Sequence, residues 1–143
     1  MSAGEKFFDT NVLLYLLSGD GAKADRVEAE LSAGGVLSVQ VLNEFASVAS
    51  CRLDTSIAEI REAPAAIRAV CTIVPIEKGT HDLGQQIVES HRLSIHDAMI
   101  AASALLAGCK TLVSEDMRDR QIIGGRLMVR NPFRFPRALV PGG

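Results

Sequence analysis

Four acidic side chains, Asp9, Glu44, Asp97 and Asp116, stand where chemistry could be done. Asp9 ends the apolar run Phe7-Phe8 and is followed by Thr10 and Asn11. Asp116 closes Ser114-Glu115-Asp116, just after an apolar run that ends at Val113. Asp97 lies three residues after Ser94, at the head of an alanine-rich stretch, and Glu44 sits between Leu42 and Phe45. Carboxylates gathered in one cleft repel one another unless a hard cation neutralises them. Magnesium and manganese take oxygen ligands, usually a few carboxylates with water and substrate phosphate. Such a cluster suits phosphodiester hydrolysis, in which the cation activates water, neutralises the phosphate and stabilises the leaving oxygen. The chain has neither a Gly-x-Ser-x-Gly elbow nor a phosphate-binding glycine loop.

Each acid also has a structural reading. An Asp between strand and helix is commonly a turn or N-cap residue. Asp97 holds the place of a capping-box acid after Ser94. Glu44 would cost several kcal/mol if buried, charged and unpaired, so it lies at a solvated edge or faces a cation. His96 is read as a helix-start residue, because no second His or Cys is spaced to form a zinc site with it.

The elements that would position these residues alternate. Strands are expected at Lys6–Asp9, Val36–Ser38, Thr72–Pro75, Lys110–Val113 and, as an edge strand, Leu127–Val129. Between them lie a short helix capped by Asn11 and helices over Ala22–Ser32, Ser38–Ser50, Thr55–Val70 with an interruption at Pro64, Thr80–His91 and Ile95–Ala107. The pattern is that of a single α/β domain with a mostly parallel sheet. The domain is expected to run over 1–133, with an irregular tail over 134–143. In such a sheet chemistry gathers at the carboxyl ends of the strands, which places Asp9, Asp97 and Asp116 along one edge.

The chain has 143 residues, 48% of them apolar and only 4% aromatic, so one aliphatic, alanine-rich core is expected. No apolar run is long enough to span a membrane, and no signal-peptide pattern stands at the N-terminus. Cys51, Cys71 and Cys109 are widely spaced among apolar neighbours, which fits reduced thiols in a cytoplasm better than a disulfide framework. The net charge of −2 divides into −6 up to Cys109 and +4 from Lys110 onward. A basic end holding Arg118, Arg120, Arg126, Arg130, Arg134 and Arg137 suits a polyanion contact, and equally an ordinary surface.

At this point the sequence resembles a known family. FFDTNVLLYLL from Phe7, Asn43-Glu44-Phe45, SIHDAMIAASALLAGCKTLVSEDM from Ser94 and IIGGRLMVRNPF from Ile122 look like a PIN domain, most of all like the VapC toxins of bacterial toxin–antitoxin pairs. The resemblance covers about Phe7 to Phe133. It implies a five-stranded parallel sheet in the order 3-2-1-4-5. It also implies an endoribonuclease dependent on magnesium or manganese, commonly a homodimer and inhibited by a partner antitoxin. Carried over by motif, the metal-site acids are Asp9, Glu44, Asp97 and Asp116, with Thr10 and Ser114 at the small hydroxyl positions. His96 departs from the aromatic residue that many members have before the third acid. Asp119 is near a further acid of some members but out of register, and Glu115 is expected to point away.

Two other readings remain open on sequence alone. One is a catalytically inactive RNA- or protein-binding module of the same fold. The other is a phosphatase or phosphate acceptor, against which stands the lack of a Lys at a strand end and of a second acid beside Asp9. Ile57, Ile60 and Ile67 fit a dimer interface or the core equally well.

Overall fold

The computed structural model describes residues 6–51 and 57–134, with side chains from 62 onward in the second stretch. The residues expected to form the tail beyond 134, the helix start at Thr55 and the side chains of Ile57 and Ile60 lie outside the described part.

Six strands form one sheet: β1 (Lys6–Phe8), β2 (Gly35–Ser38), β3 (Cys71–Val74), β4 (Thr111–Val113), β5 (Ile122–Ile123) and β6 (Leu127–Arg130), in the order β3-β2-β1-β4-β6-β5. Every pairing is parallel except that of β5 with β6. The expected five-strand order is therefore present, with one strand added. Gly124 and Gly125 adopt φ of 63° and 76°, a conformation glycine enters without steric cost. They turn the chain so that Ile122 pairs with Met128 and Ile123 with Leu127. The strand read as the edge, β6, is thus flanked on both sides, and two-residue β5 takes the edge. A strand that short carries no periodicity to detect.

The helices are α1 (Thr10–Leu13), which runs on into a 3-10 turn over Leu14–Leu17, α2 (Gly21–Ser32), α3 (Val39–Ser50), α4 (Ile57–Val70), α5 (Lys78–His91) and α6 (Ile95–Leu106). Pro64 lies inside α4 without ending it, and β3 follows α4 directly at Cys71. The expected cap at Asn11 is corrected: Asp9 caps α1 in extended conformation, its side chain accepting from the Thr10 N–H. α5 starts at Lys78, ahead of its expected start, because Glu77 and Thr80 form a capping box.

Phe7, Phe8, Leu37, Phe45, Ile100, Leu112 and Val113 are wholly buried and centre the core. Ile67 is 1% exposed and belongs to that core rather than to an interface. α6 buries Ala98, Ala101, Ala102 and Ala104 against the sheet and α5, small side chains that allow close approach. At β2, a Cβ on Gly35 would lie 2.4 Å from the Phe8 ring, so glycine is needed for contact with β1. No helix among the described residues is long and apolar enough to cross a membrane.

The register sets the site. Phe7 pairs with Leu112 and Phe8 with Val113, and the Asp9 N–H continues the ladder to the Val113 carbonyl at 3.0 Å. The chain leaves β1 and β4 side by side, so Asp9 and Ser114 are neighbours at the carboxyl edge.

Candidate active site

Asp9 is 3% exposed and fully engaged. Its Oδ1 accepts from the Thr10 N–H at 2.7 Å. Its Oδ2 accepts from the Ser114 hydroxyl at 2.8 Å and from the Asn11 amide at 3.3 Å. Burial pushes its carboxyl up from an ordinary 3.8 to about 6. The Ser114 and Thr10 donors pull it back, while the charges of Asp97 and Asp116 raise it further.

Asp97 is half-buried. Its carboxyl is raised by burial first, lowered by His96 and by a hydrogen bond with the Ser94 side chain, and raised by the charges of Asp116 and Glu44. The capping box expected there is made in one direction only. The Ser94 hydroxyl accepts from the Asp97 N–H at 3.1 Å, and no bond from the Ser94 backbone to the Asp97 carboxylate is made among the described residues. The Ser94 side chain also hydrogen-bonds the Asp97 carboxylate, so the residue takes part in the cap and in the acid cluster together.

Glu44 stands at the solvated edge of α3, its side chain 28% exposed. The Thr10 hydroxyl donates to its Oε1 at 2.6 Å, and the Gln40 amide to its Oε2 at 3.4 Å. His96 Nδ1 lies 3.1 Å from that same Oε2 and ties the start of α6 to α3. Thr10 thus links two acids, through its backbone to Asp9 and its hydroxyl to Glu44. Asp116 is exposed and feels both Asp9 and Asp97.

The four acids are brought into mutual influence, and Thr10 and Ser114 lie between them. They are not drawn into a closed cage: among the described residues no group of three or more His, Cys, Asp or Glu is arranged to hold a metal ion. The donor set nevertheless consists of carboxylate oxygens, and the raised proton affinity of Asp9 and Asp97 is what a hard cation would relieve.

Other expected residues lie elsewhere. Asp119 accepts the Asn131 N–H at 2.8 Å and closes the loop into β6, and nothing couples it to the four acids. Glu115 points away from them, accepting from the Tyr15 hydroxyl at 2.6 Å. Arg130 makes two bonds of 2.9 Å to Glu30, and Arg126 donates to the Leu105 carbonyl at 2.8 Å. Arg118 and Arg120 are exposed.

Sequence reasoning missed Asn11 as a bridge. Its amide donates to Asp9, and its Oδ1 accepts the Glu115 N–H at 3.2 Å. Only its place directly after Asp9-Thr10 hinted at this. Gln40, one turn before Glu44, was missed as well.

A mostly parallel sheet with carboxylates along its carboxyl edge defines an α/β domain, and the match to the PIN domain over residues 6–122 shows that the chain belongs to the PIN-domain family. Its fold is similar to that of a toxin–antitoxin complex from Klebsiella pneumoniae, with a TM-score of 0.70 and 22% identity over 92% of this chain and 100% of the other. It is similar too to VapC20 from Mycobacterium tuberculosis, a toxin described as cleaving the sarcin–ricin loop, with a TM-score of 0.60 and 16% identity over 78% and 90% of the two chains. VapBC2 from Rickettsia felis, bound to a DNA fragment from its promoter, gives a TM-score of 0.65 and 15% identity over 88% and 98%. No curated protein matches in sequence.

Proposed function

We propose that the chain is a metal-dependent endoribonuclease, the toxin of a toxin–antitoxin pair, acting in the cytoplasm. The observation that carries this reading is the register of β1 on β4, which sets the buried Asp9 carboxylate beside the Ser114-Glu115-Asp116 loop at the carboxyl edge of the sheet. Asp9, Asp97, Asp116 and Glu44 would hold Mg2+ or Mn2+. When bound, that ion supplies an activated water and charge neutralisation at the scissile phosphate. The chain's own part is to fix the acids. Ser114, Thr10 and Asn11 orient Asp9, and Thr10, Gln40 and His96 orient Glu44. The exposed Arg118 and Arg120 would meet the RNA backbone, with Arg126 and Arg130 serving it less because both bind within the fold.

Support for the substrate and partner comes from the family and from neighbours described as a toxin–antitoxin complex and as a toxin cleaving the sarcin–ricin loop. A homodimer bound by a cognate antitoxin is the expected assembly. The test is RNA cleavage by purified protein with manganese, with magnesium and with excess chelator. Cleavage only with a divalent ion is expected. Cleavage that persists in chelator would refute the metal role, and tight RNA binding without cleavage would favour the inactive binding module.

A further inference from the structure

The loop Ser114-Glu115-Asp116 is held chiefly through Glu115. Asp116 makes no hydrogen bond or ion pair among the described residues, so its own contacts do not aim it. Its neighbour is tied down instead. Glu115 Oε1 accepts from the Tyr15 hydroxyl at 2.6 Å, and its Oε2 lies 3.4 Å from Lys23 Nζ. Lys23 Nζ also donates to the Tyr15 oxygen at 3.3 Å and stands 4.8 Å and 4.9 Å from the ring centres of Tyr15 and Phe133. Those two rings meet edge to face at 5.0 Å. On the backbone side, Asn11 holds the Glu115 N–H, and the Ser114 hydroxyl, itself bound to Asp9, accepts the Met117 N–H at 3.4 Å.

We propose that Tyr15 and Lys23 act through Glu115 as positioning residues, pinning this loop so that the Asp116 carboxylate stays in register with Asp9. Adjacent side chains in the loop then divide the work: Glu115 anchors into the α1–α2 segment, and Asp116 is left free for the site. This inference rests on the reading of the acids as a metal site. Partners that orient metal ligands typically cost 10–100-fold in metal affinity or activity when removed, and one hydroxyl removed from an anchor that keeps Lys23 belongs at the low end.

The test uses Tyr15→Phe, Glu115→Gln and Glu115→Ala in the full chain, with two readouts. The first is amide hydrogen exchange at Glu115 and Met117 by NMR without metal. Exchange at both should quicken about tenfold in Tyr15→Phe and more in Glu115→Ala, as expected for a loop that opens locally. The second is manganese affinity from the electron paramagnetic resonance of the free ion. Affinity should weaken about tenfold in Tyr15→Phe. Cleavage at saturating manganese should fall far less than the affinity does. Glu115→Gln keeps an oxygen for the Tyr15 hydroxyl and should recover part of what Glu115→Ala loses. A lowered melting temperature with unchanged exchange and manganese affinity would overturn the proposal, leaving the cluster a stabilising contact. A wild-type chain that binds no manganese would overturn the metal reading, and the exchange data would still decide whether the pin exists.

Discussion

Replacing Glu30 by Gln removes one charge from the most connected ion-pair centre in the described chain. Glu30, on α2, takes two bonds of 2.9 Å from Arg130 of β6 and one of 3.2 Å from Lys6 of β1. Arg26 stands 3.8 Å away on the same helix. Only 9% of the Glu30 side chain is exposed. The Arg130 hydrogen bonds, opposed by burial and helped by Lys6, hold its carboxyl down from 4.5 to about 2. At about 1.4 kcal/mol per tenfold change in proton affinity, that difference is worth roughly 3 kcal/mol at neutral pH. Arg130 is 37% exposed, and screening there trims the expected loss for Glu30→Gln to about 2 kcal/mol. The pH dependence has a definite sign. The folded carboxyl binds its proton more weakly than the unfolded one, so the stabilisation is full above pH 4.5 and fades as pH falls toward about 2. Urea unfolding of wild type and variant at pH 7, 4 and 3 measures this directly, with the gap narrowing below pH 4.5. A gap that stays constant across that window, or that is smaller than about 0.5 kcal/mol at pH 7, would refute the reasoning.

Asp97→Asn should leave stability without metal within about 1 kcal/mol of wild type, because the cap uses the backbone N–H and the Ser94 hydroxyl. RNA cleavage at saturating manganese should fall by orders of magnitude, and full activity would remove Asp97 from the site. Gly35→Ala should destabilise by about 1–3 kcal/mol in thermal unfolding, since its Cβ would press into the buried Phe8 ring at 2.4 Å. An unchanged melting temperature would mean that β1 and β2 separate freely. Arg118→Ala and Arg120→Ala should each flatten the salt dependence of RNA binding by about one unit of slope if they contact phosphate. Arg130→Ala should act first on the melting temperature, because its guanidinium is committed to Glu30.

The placement of two of the acids could be read locally. A parallel sheet places the carboxyl ends of its strands along one edge, so an acid directly after Phe7-Phe8 and another shortly after Val113 had to become neighbours once β1 and β4 paired. The alternation of strand and helix patterns and the alanine-rich run at α6 gave the architecture and its close packing. Local pattern misled where two residues competed for one role. Asn11 looked like the cap of α1, and Asp9, one residue earlier, took that place while still serving the acid cluster.

Tertiary structure alone decided which partner each polar group takes. Glu115 meets Tyr15 and Lys23, and Arg130 meets Glu30, across chain separations that leave no periodic trace in the sequence. Neither the withdrawal of Asp119 to the Asn131 N–H nor the folding back of Ile122-Ile123 onto β6 shows in residue type or spacing. Hydrophobic period and strand-end placement are local properties, set by burial on one face. Partner choice among charged and polar groups depends on distances that exist only after the sheet has closed, where a buried carboxylate must find whichever donor the packing brings within about 3 Å.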